Sequence, residues 1–169
     1  LEALRPAWDS ERVAAEVHNQ KNPKLKRGVG VAAGWYGCGN TSLPNPSTIK
    51  AGIRADGTVV LHQGAMDIGQ GANTVISQIF ATALGIPVTQ LELIGADTKV
   101  TPDAGKTSAS RQTYVSGSAA RLSGEAMRAQ ILQRVNADDA AEIHIENGQI
   151  RVLDTASEHV IDLHSLAAD

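Results

Sequence analysis

From Thr48 to His62 apolar and polar positions alternate. Ile49, Ala51 and Ile53 are separated by Lys50 and Gly52, and Asp56-Gly57 interrupts the run before Val59 and Leu61 resume it. A period of two broken by an Asp-Gly pair predicts a β-hairpin. From Asn73 the period changes. Val75, Ile76, Ile79, Phe80, Ala83 and Leu84 recur at steps of one, three and four, which predicts a helix over 73–84. Gly85 and Pro87 end it. Leu91 to Ile94 reads as a short strand. Gly117 to Val135 reads as a second helix with Leu122, Ala126, Met127, Ile131 and Val135 turned inward. Ile143 and Ile145, then Asn147-Gly148, then Ile150 and Val152 predict a second hairpin, and Ile161 to Ala168 the start of a further helix.

The first quarter of the chain is less regular. Leu1 to Lys26 reads as a linker with a short helix at about Ser10 to Asn19, capped by Ser10. Gly28 to Gly34 reads as a buried strand of small residues, and Trp35 to Pro46 as a loop rich in Gly, Asn and Pro. Ala96 to Ser116 has no hydrophobic period and is expected to be an ordered loop. The element order predicts an α+β fold of antiparallel hairpins and two packed helices. Residues 1–26 form the linker and short helix, and 27–169 the main domain.

Composition narrows the function classes. Of 169 residues 42% are hydrophobic and only 3% aromatic, so the core is aliphatic. A net charge of −3 argues against a nucleic-acid partner. Cys38 is the only cysteine, which excludes an internal disulfide and an iron–sulfur cluster held by this chain alone. No apolar run approaches the roughly 20 residues a membrane span needs, and no signal peptide is evident. A cytoplasmic protein with no membrane partner is expected. The chain starts without Met, and a piece of something longer is expected.

Most of the familiar catalytic arrangements are missing from the sequence. His18, His62, His144, His159 and His164 lack metal-ligand spacing on a shared element. Cys38 sits among glycines with no histidine nearby. There is no Gly-x-Ser-x-Gly elbow and no evident pair of acids for acid/base work. Gly69-x-Gly71 lacks the third glycine of the dinucleotide fingerprint, and no βαβ unit is expected around it.

Two segments remain. Gly64 to Thr74 (Gly-Ala-Met-Asp-Ile-Gly-Gln-Gly-Ala-Asn-Thr) joins a strand end to a helix start. Glycines there permit close backbone approach, and a helix start offers unpaired N–H groups and a positive dipole end, which suit a phosphate-bearing ligand. A tight turn with a helix cap is the plainer alternative. Thr107 to Ser118 gathers Thr107, Ser108, Ser110, Thr113, Ser116 and Ser118 with Arg111 and Gln112 just before a helix. Capping needs one or two such residues, so this run favours a polar ligand.

These segments carry a resemblance. Asp67-Ile-Gly-Gln-Gly-Ala-Asn-Thr74, then Ala83-Leu-Gly-Ile-Pro87, Ala96-Asp-Thr98 and Pro102 to Gly117 together resemble the molybdenum-cofactor domain of the xanthine dehydrogenase / aldehyde oxidase family (the molybdenum hydroxylases) over roughly Arg27 to Leu132. That family often has Glu where Asp67 stands. The resemblance implies a central fragment of a larger molybdopterin-binding domain, with no direct metal ligand from the protein. It implies that Ile68, Gly69 and Gln70 lie along the pterin, with Gln70 near the metal's ligands. Ala109, Ser110, Arg111, Gln112 and Thr113 would wrap the pterin and its phosphate. Asn40, Thr41 and Ser108 would border the substrate pocket, and Asn40 replaces the phenylalanine that stacks on purines in many members. The implied cofactor is molybdenum–molybdopterin, with the cytosine dinucleotide as one form. 2Fe–2S centres and FAD would lie on other domains or subunits. The family's catalytic glutamate would lie downstream of this chain, in the remainder of the molybdenum subunit. The implied reaction is hydroxylation of a purine, another N-heterocycle or an aldehyde with water-derived oxygen. The alternative is a non-catalytic α+β protein-interaction module.

Overall fold

The computed structural model describes residues 1–39, 44–155 and 157–166. They divide into two compact units, Leu1–Tyr36 and Gly37–Asp169. In the first unit α1 spans Arg5–Lys21, with Pro in its first turn. Proline has no N–H to lose there, so the helix starts ahead of Ser10, which is an interior residue rather than the expected cap. The chain past α1 is tied back by Asn19, whose Oδ1 accepts from Arg27 N (2.7 Å) and whose Nδ2 donates to Arg27 O (2.8 Å). Residues 28–34 form no strand, and all are exposed. This corrects the buried strand read from their small side chains. No neighbouring strand in this unit takes their backbone groups, and Gly and Ala side chains bury too little apolar area to draw them inward.

The second unit is built on two three-stranded sheets. In the first, β1 (Ile49–Ile53) and β2 (Val59–Gln63) form the expected hairpin. β3 (Leu91–Gly95) then pairs with β2 in parallel. Because α2 (Ala72–Leu84) connects β2 to β3, the glycine segment does sit in a βαβ crossover, contrary to the sequence reading. Alternation along β1 and β2 says nothing about which way a third strand runs. The register places Ile53, Val59 and Leu91 in one inward row, Ala51, Leu61 and Leu93 in the next, and Ile49, Gln63 and Gly95 in the last.

α3 spans Gln112–Val135 and packs along α2. Its buried face is Gln112, Ser116, Gly117, Ala120, Gly124, Ile131 and Leu132. Leu122 and Ala126, expected inside, are exposed. The small residues win this face because the helices approach closely. A Cβ on Gly124 would lie 2.7 Å from Phe80 O and 2.8 Å from Ala83 Cβ. The helix also begins five residues before the expected Gly117, since its first turn buries polar side chains that leave no hydrophobic period. Arg128 Nη1 donates to Leu84 O (3.3 Å), and its Nη2 to Asp139 O (2.9 Å) and Ala141 O (2.6 Å), joining the end of α2 to the second sheet.

That sheet is β4 (Glu142–Glu146), β5 (Gln149–Leu153) and β6 (Glu158–Asp162), all antiparallel. Ile143, Ile145, Ile150, Val152 and Ile161 face the core. β6 corrects the helix expected from Ile161: Val160 and Ile161 fall on opposite sides of a strand, and a short 3-10 turn at Leu163–Ser165 follows. The two hairpin turns touch, with Gly148 N donating to Asp56 O at 3.0 Å.

Candidate functional site

Three loops of the second unit converge beside the C-terminal end of β2 and the first turns of α2 and α3. The first runs from Gly64 to Gly71. Gln63, fully buried at the end of β2, holds its base: Oε1 accepts from Ala65 N (2.7 Å), and Nε2 donates to Asn73 Oδ1 (2.6 Å) and Ala65 O (3.2 Å). Asp67 closes the loop on itself. Its Oδ2 accepts from Asn73 N (3.0 Å), and its Oδ1 from Gly69 N (2.9 Å) and Gly71 N (3.3 Å). The N–H groups of Asn73, then Gly69 and Gly71, hold its carboxyl below the usual carboxylate value. The N-terminus of α2 therefore already carries an anion from its own chain. This corrects the expectation that this helix start offers its donors to a phosphate.

The second loop runs from Pro102 into α3. Ala109 and Ser110 both have positive φ, 50° and 54°, a conformation that costs non-glycine residues and turns the chain back on itself. Arg111 follows and is fully buried. Its Nη1 donates to Ala104 O (2.6 Å) and Lys106 O (2.7 Å), its Nη2 to Pro46 O (3.0 Å) and Asn45 O (3.4 Å). Gln112 is buried too. Its Nε2 donates to Lys106 O (3.1 Å) and Thr107 Oγ1 (3.3 Å), and its Oε1 accepts from Ser116 Oγ.

The third segment enters at Gly37. Gly39 N donates to Ala109 O, Asn45 Nδ2 to Gly39 O (2.7 Å), and Thr48 N to Asp103 O (3.0 Å). The first two loops meet at one acceptor: Met66 O receives Gln70 Nε2 (3.1 Å) and Thr107 Oγ1 (2.9 Å). Gly64 makes this possible, since a Cβ there would overlap Pro102 O.

The structure thus joins the loop that carries Ile68, Gly69 and Gln70 to the loop that carries Thr107 to Ser110 through Met66 O. Gln70 folds over its own loop, with Oε1 accepting from Ile68 N at 2.7 Å. Ile68, Ser108, Ser110 and Thr113 are exposed, whereas the side chains of Arg111 and Gln112 point into protein. Asn40 and Thr41 lie outside the described residues. Gln63 and Gly105 were missed by the sequence reading. The signal for Gln63 was an amide at an inward position of an otherwise apolar alternation. Gly105 had none.

The open side of this cluster suits a polar ligand. A Cβ on Gly69 or Gly71 would meet nothing within 4 Å, so their backbone is open to close approach. Ser108 and Ser110 are exposed, and both carboxylates in these loops accept from backbone N–H groups, Asp67 from Gly69, Gly71 and Asn73, and Asp103 from Gly105. Among the described residues no group of three His, Cys, Asp or Glu could hold a metal ion. A metal here would need ligands of its own. No helix among them is long and apolar enough to cross a membrane.

The chain is similar to known proteins over most of its length. Residues 3–169 match the family described as molybdopterin cofactor-binding domain. A putative xanthine dehydrogenase molybdenum-binding subunit of Escherichia coli (strain K12) is 35% identical over the whole of this chain and 23% of its own length. An aldehyde oxidoreductase of Megalodesulfovibrio gigas is 30% identical over 74% of this chain and 14% of its own. The chain therefore spans about a quarter or less of these relatives. The crystal structure of a Cu,Mo-CO dehydrogenase superposes with a TM-score of 0.52 over 69% of this chain and 16% of its own, at 23% identity, and shares its fold. With its glycine loop and its hydroxyl-rich loop joined at one end of the α+β core, the chain belongs to the molybdopterin cofactor-binding domain family of the molybdenum hydroxylases.

Proposed function

We propose that this chain forms one wall of the cofactor and substrate site in the molybdenum subunit of an enzyme that hydroxylates purines, other N-heterocycles or aldehydes. The observation that carries this reading is the junction at Met66 O, which joins Gln70 to Thr107 and so presents both polar segments on one side. In this reading Ile68 and Gly69 lie along the pterin, and Gln70 releases its own loop to reach toward the metal's ligands. Ala109, Ser110 and Thr113 contact the pterin and its phosphate through main-chain N–H and hydroxyl groups. Arg111 and Gln112 take part through their main chain, since their side chains are buried. Asn40, Thr41 and Ser108 border the substrate. When bound, the molybdenum–molybdopterin cofactor supplies the two-electron redox chemistry. This chain's residues orient it and exclude water around it.

The base belongs to the rest of the subunit, as do further pterin contacts. 2Fe–2S centres and FAD on other domains or subunits would carry the electrons away, in the cytoplasm. Membership of a cofactor-binding family favours this enzyme over the interaction-module alternative. The test is pterin and metal analysis of the intact subunit, wild type against Gln70→Ala and Ser110→Ala. The expected result is one molybdopterin per wild-type subunit, with less cofactor or lower turnover in each variant and unchanged soluble yield. A wild-type subunit free of pterin, or variants that lose only soluble protein, would reject the reading.

A further inference from the structure

We propose that Arg111 is a positioning residue that fixes the gap between the loops lining the candidate site, and that it acts from behind, without touching the bound group. The proposal rests on the cofactor reading only for what lies in the gap. Its structural half stands alone.

The guanidinium is fully buried and meets no carboxylate among the described residues. Four of its five N–H groups are given to main-chain carbonyls, and Nε is buried without an acceptor. The acceptors belong to two segments far apart in sequence, Asn45 and Pro46 on one side and Ala104 and Lys106 on the other. Only a planar fork with two donors on each terminal nitrogen can hold two such pairs at once. The surroundings are shaped for it. Gly105 has φ +66°, and a Cβ there would stand 3.0 Å from both terminal nitrogens. The left-handed pair Ala109 and Ser110 turns the chain so that Arg111 points back into its own loop while those two residues stay on the site side. Ala109 O in turn holds Gly39. A buried cation is costly unless most of its donors are hydrogen-bonded. Here that cost is met by carbonyls whose positions define both walls, so moving the guanidinium moves the walls.

The test has two parts. In the 169-residue chain, hydrogen exchange is followed at the Gly39 and Thr48 amides, whose acceptors are Ala109 O and Asp103 O, with the Ile76–Ala83 amides as internal reference. Arg111→Met keeps most of the volume and removes every donor. It should speed exchange at Gly39 and Thr48 by about tenfold or more relative to the reference. Arg111→Lys, with three donors and no fork, should give a smaller increase. Should Arg111→Met fail to fold, Gly105→Ala crowds the guanidinium from the other side with Arg111 intact and should loosen the same two amides. Unchanged exchange at both amides, or an equal increase in the helix, overturns the proposal. In the intact holoenzyme, Arg111→Met should lower bound molybdopterin severalfold, with part recovered in Arg111→Lys. Full cofactor content with unchanged KM would also overturn it. Loosened loops in the chain, together with an intact wild-type subunit that holds no molybdopterin, would uphold the clamp and reject the cofactor reading.

Discussion

Gly64→Ala puts one methyl carbon at the seam between the two polar loops. The new Cβ would lie more than an ångström inside ordinary contact with Pro102 O, and 3.4 Å from Ala104 N. Both neighbours are main chain, so neither can rotate away as a side chain would. The loops must part by roughly an ångström. Overpacking of this kind costs about 1–3 kcal/mol. The bond from Thr107 Oγ1 to Met66 O, 2.9 Å long and two residues from the insertion, would be stretched or lost, adding about 1 kcal/mol. The expected loss is therefore about 2–4 kcal/mol, or a fall in melting temperature of roughly 4–16 °C for a chain of this size. Urea unfolding monitored by circular dichroism measures it, with Gly52→Ala as control. Gly52 lies in a strand of the same unit, and a Cβ there meets nothing within 4 Å, so that variant should stay within about 0.5 kcal/mol of wild type. In the intact enzyme a shift of an ångström at the site should lower turnover by about two orders of magnitude. A Gly64→Ala chain as stable as the Gly52→Ala control would show that the loops do not depend on this contact.

Other expectations follow from the same contacts. Gly124→Ala should lose about 1–2 kcal/mol by thermal denaturation, because crowding of Phe80 O and Ala83 outweighs the roughly 1 kcal/mol that alanine gains in a helix. A stabilised variant would mean that α2 and α3 can separate at no cost. Gln63→Leu should lose about 2–3 kcal/mol, since it strands the buried Ala65 N–H and Asn73 Oδ1. A neutral result would contradict that accounting. Asp67 is held below its usual value by backbone donors. It therefore contributes stability above its unfolded pKa of about 3.9, and this is lost as pH falls through the lower folded value. The stability gap between wild type and Asp67→Asn should be constant from neutral pH down to about 4 and close below it. A gap that persists in strong acid would point to shape rather than charge.

Local periodicity made much of the fold legible. Alternation with Asp56-Gly57 and Asn147-Gly148 specified both hairpins, because strand pairs joined by short turns need only near neighbours. The apolar stripe and Gly85 specified α2 and its left-handed end. The ordered set of polar motifs from Asp67 to Gly117 carried the family. Tertiary structure decided what depends on partners distant in sequence. β3 runs parallel to β2 because a helix returns the chain, and the strand's own residues do not encode that direction. The buried face of α3 is Gly117, Ala120 and Gly124 rather than Leu122 and Ala126, because close helix contact rewards the absence of a side chain. The roles of Arg111, Gln112 and Asp67 also turned on the fold. Each is polar and looked available to a ligand, but each spends its hydrogen-bonding groups within the chain, Asp67 on backbone N–H groups, Gln112 on backbone and hydroxyl groups, and Arg111 on carbonyls up to 66 residues away. A sequence shows which groups can donate and accept. Only the folded chain decides which of them are already taken.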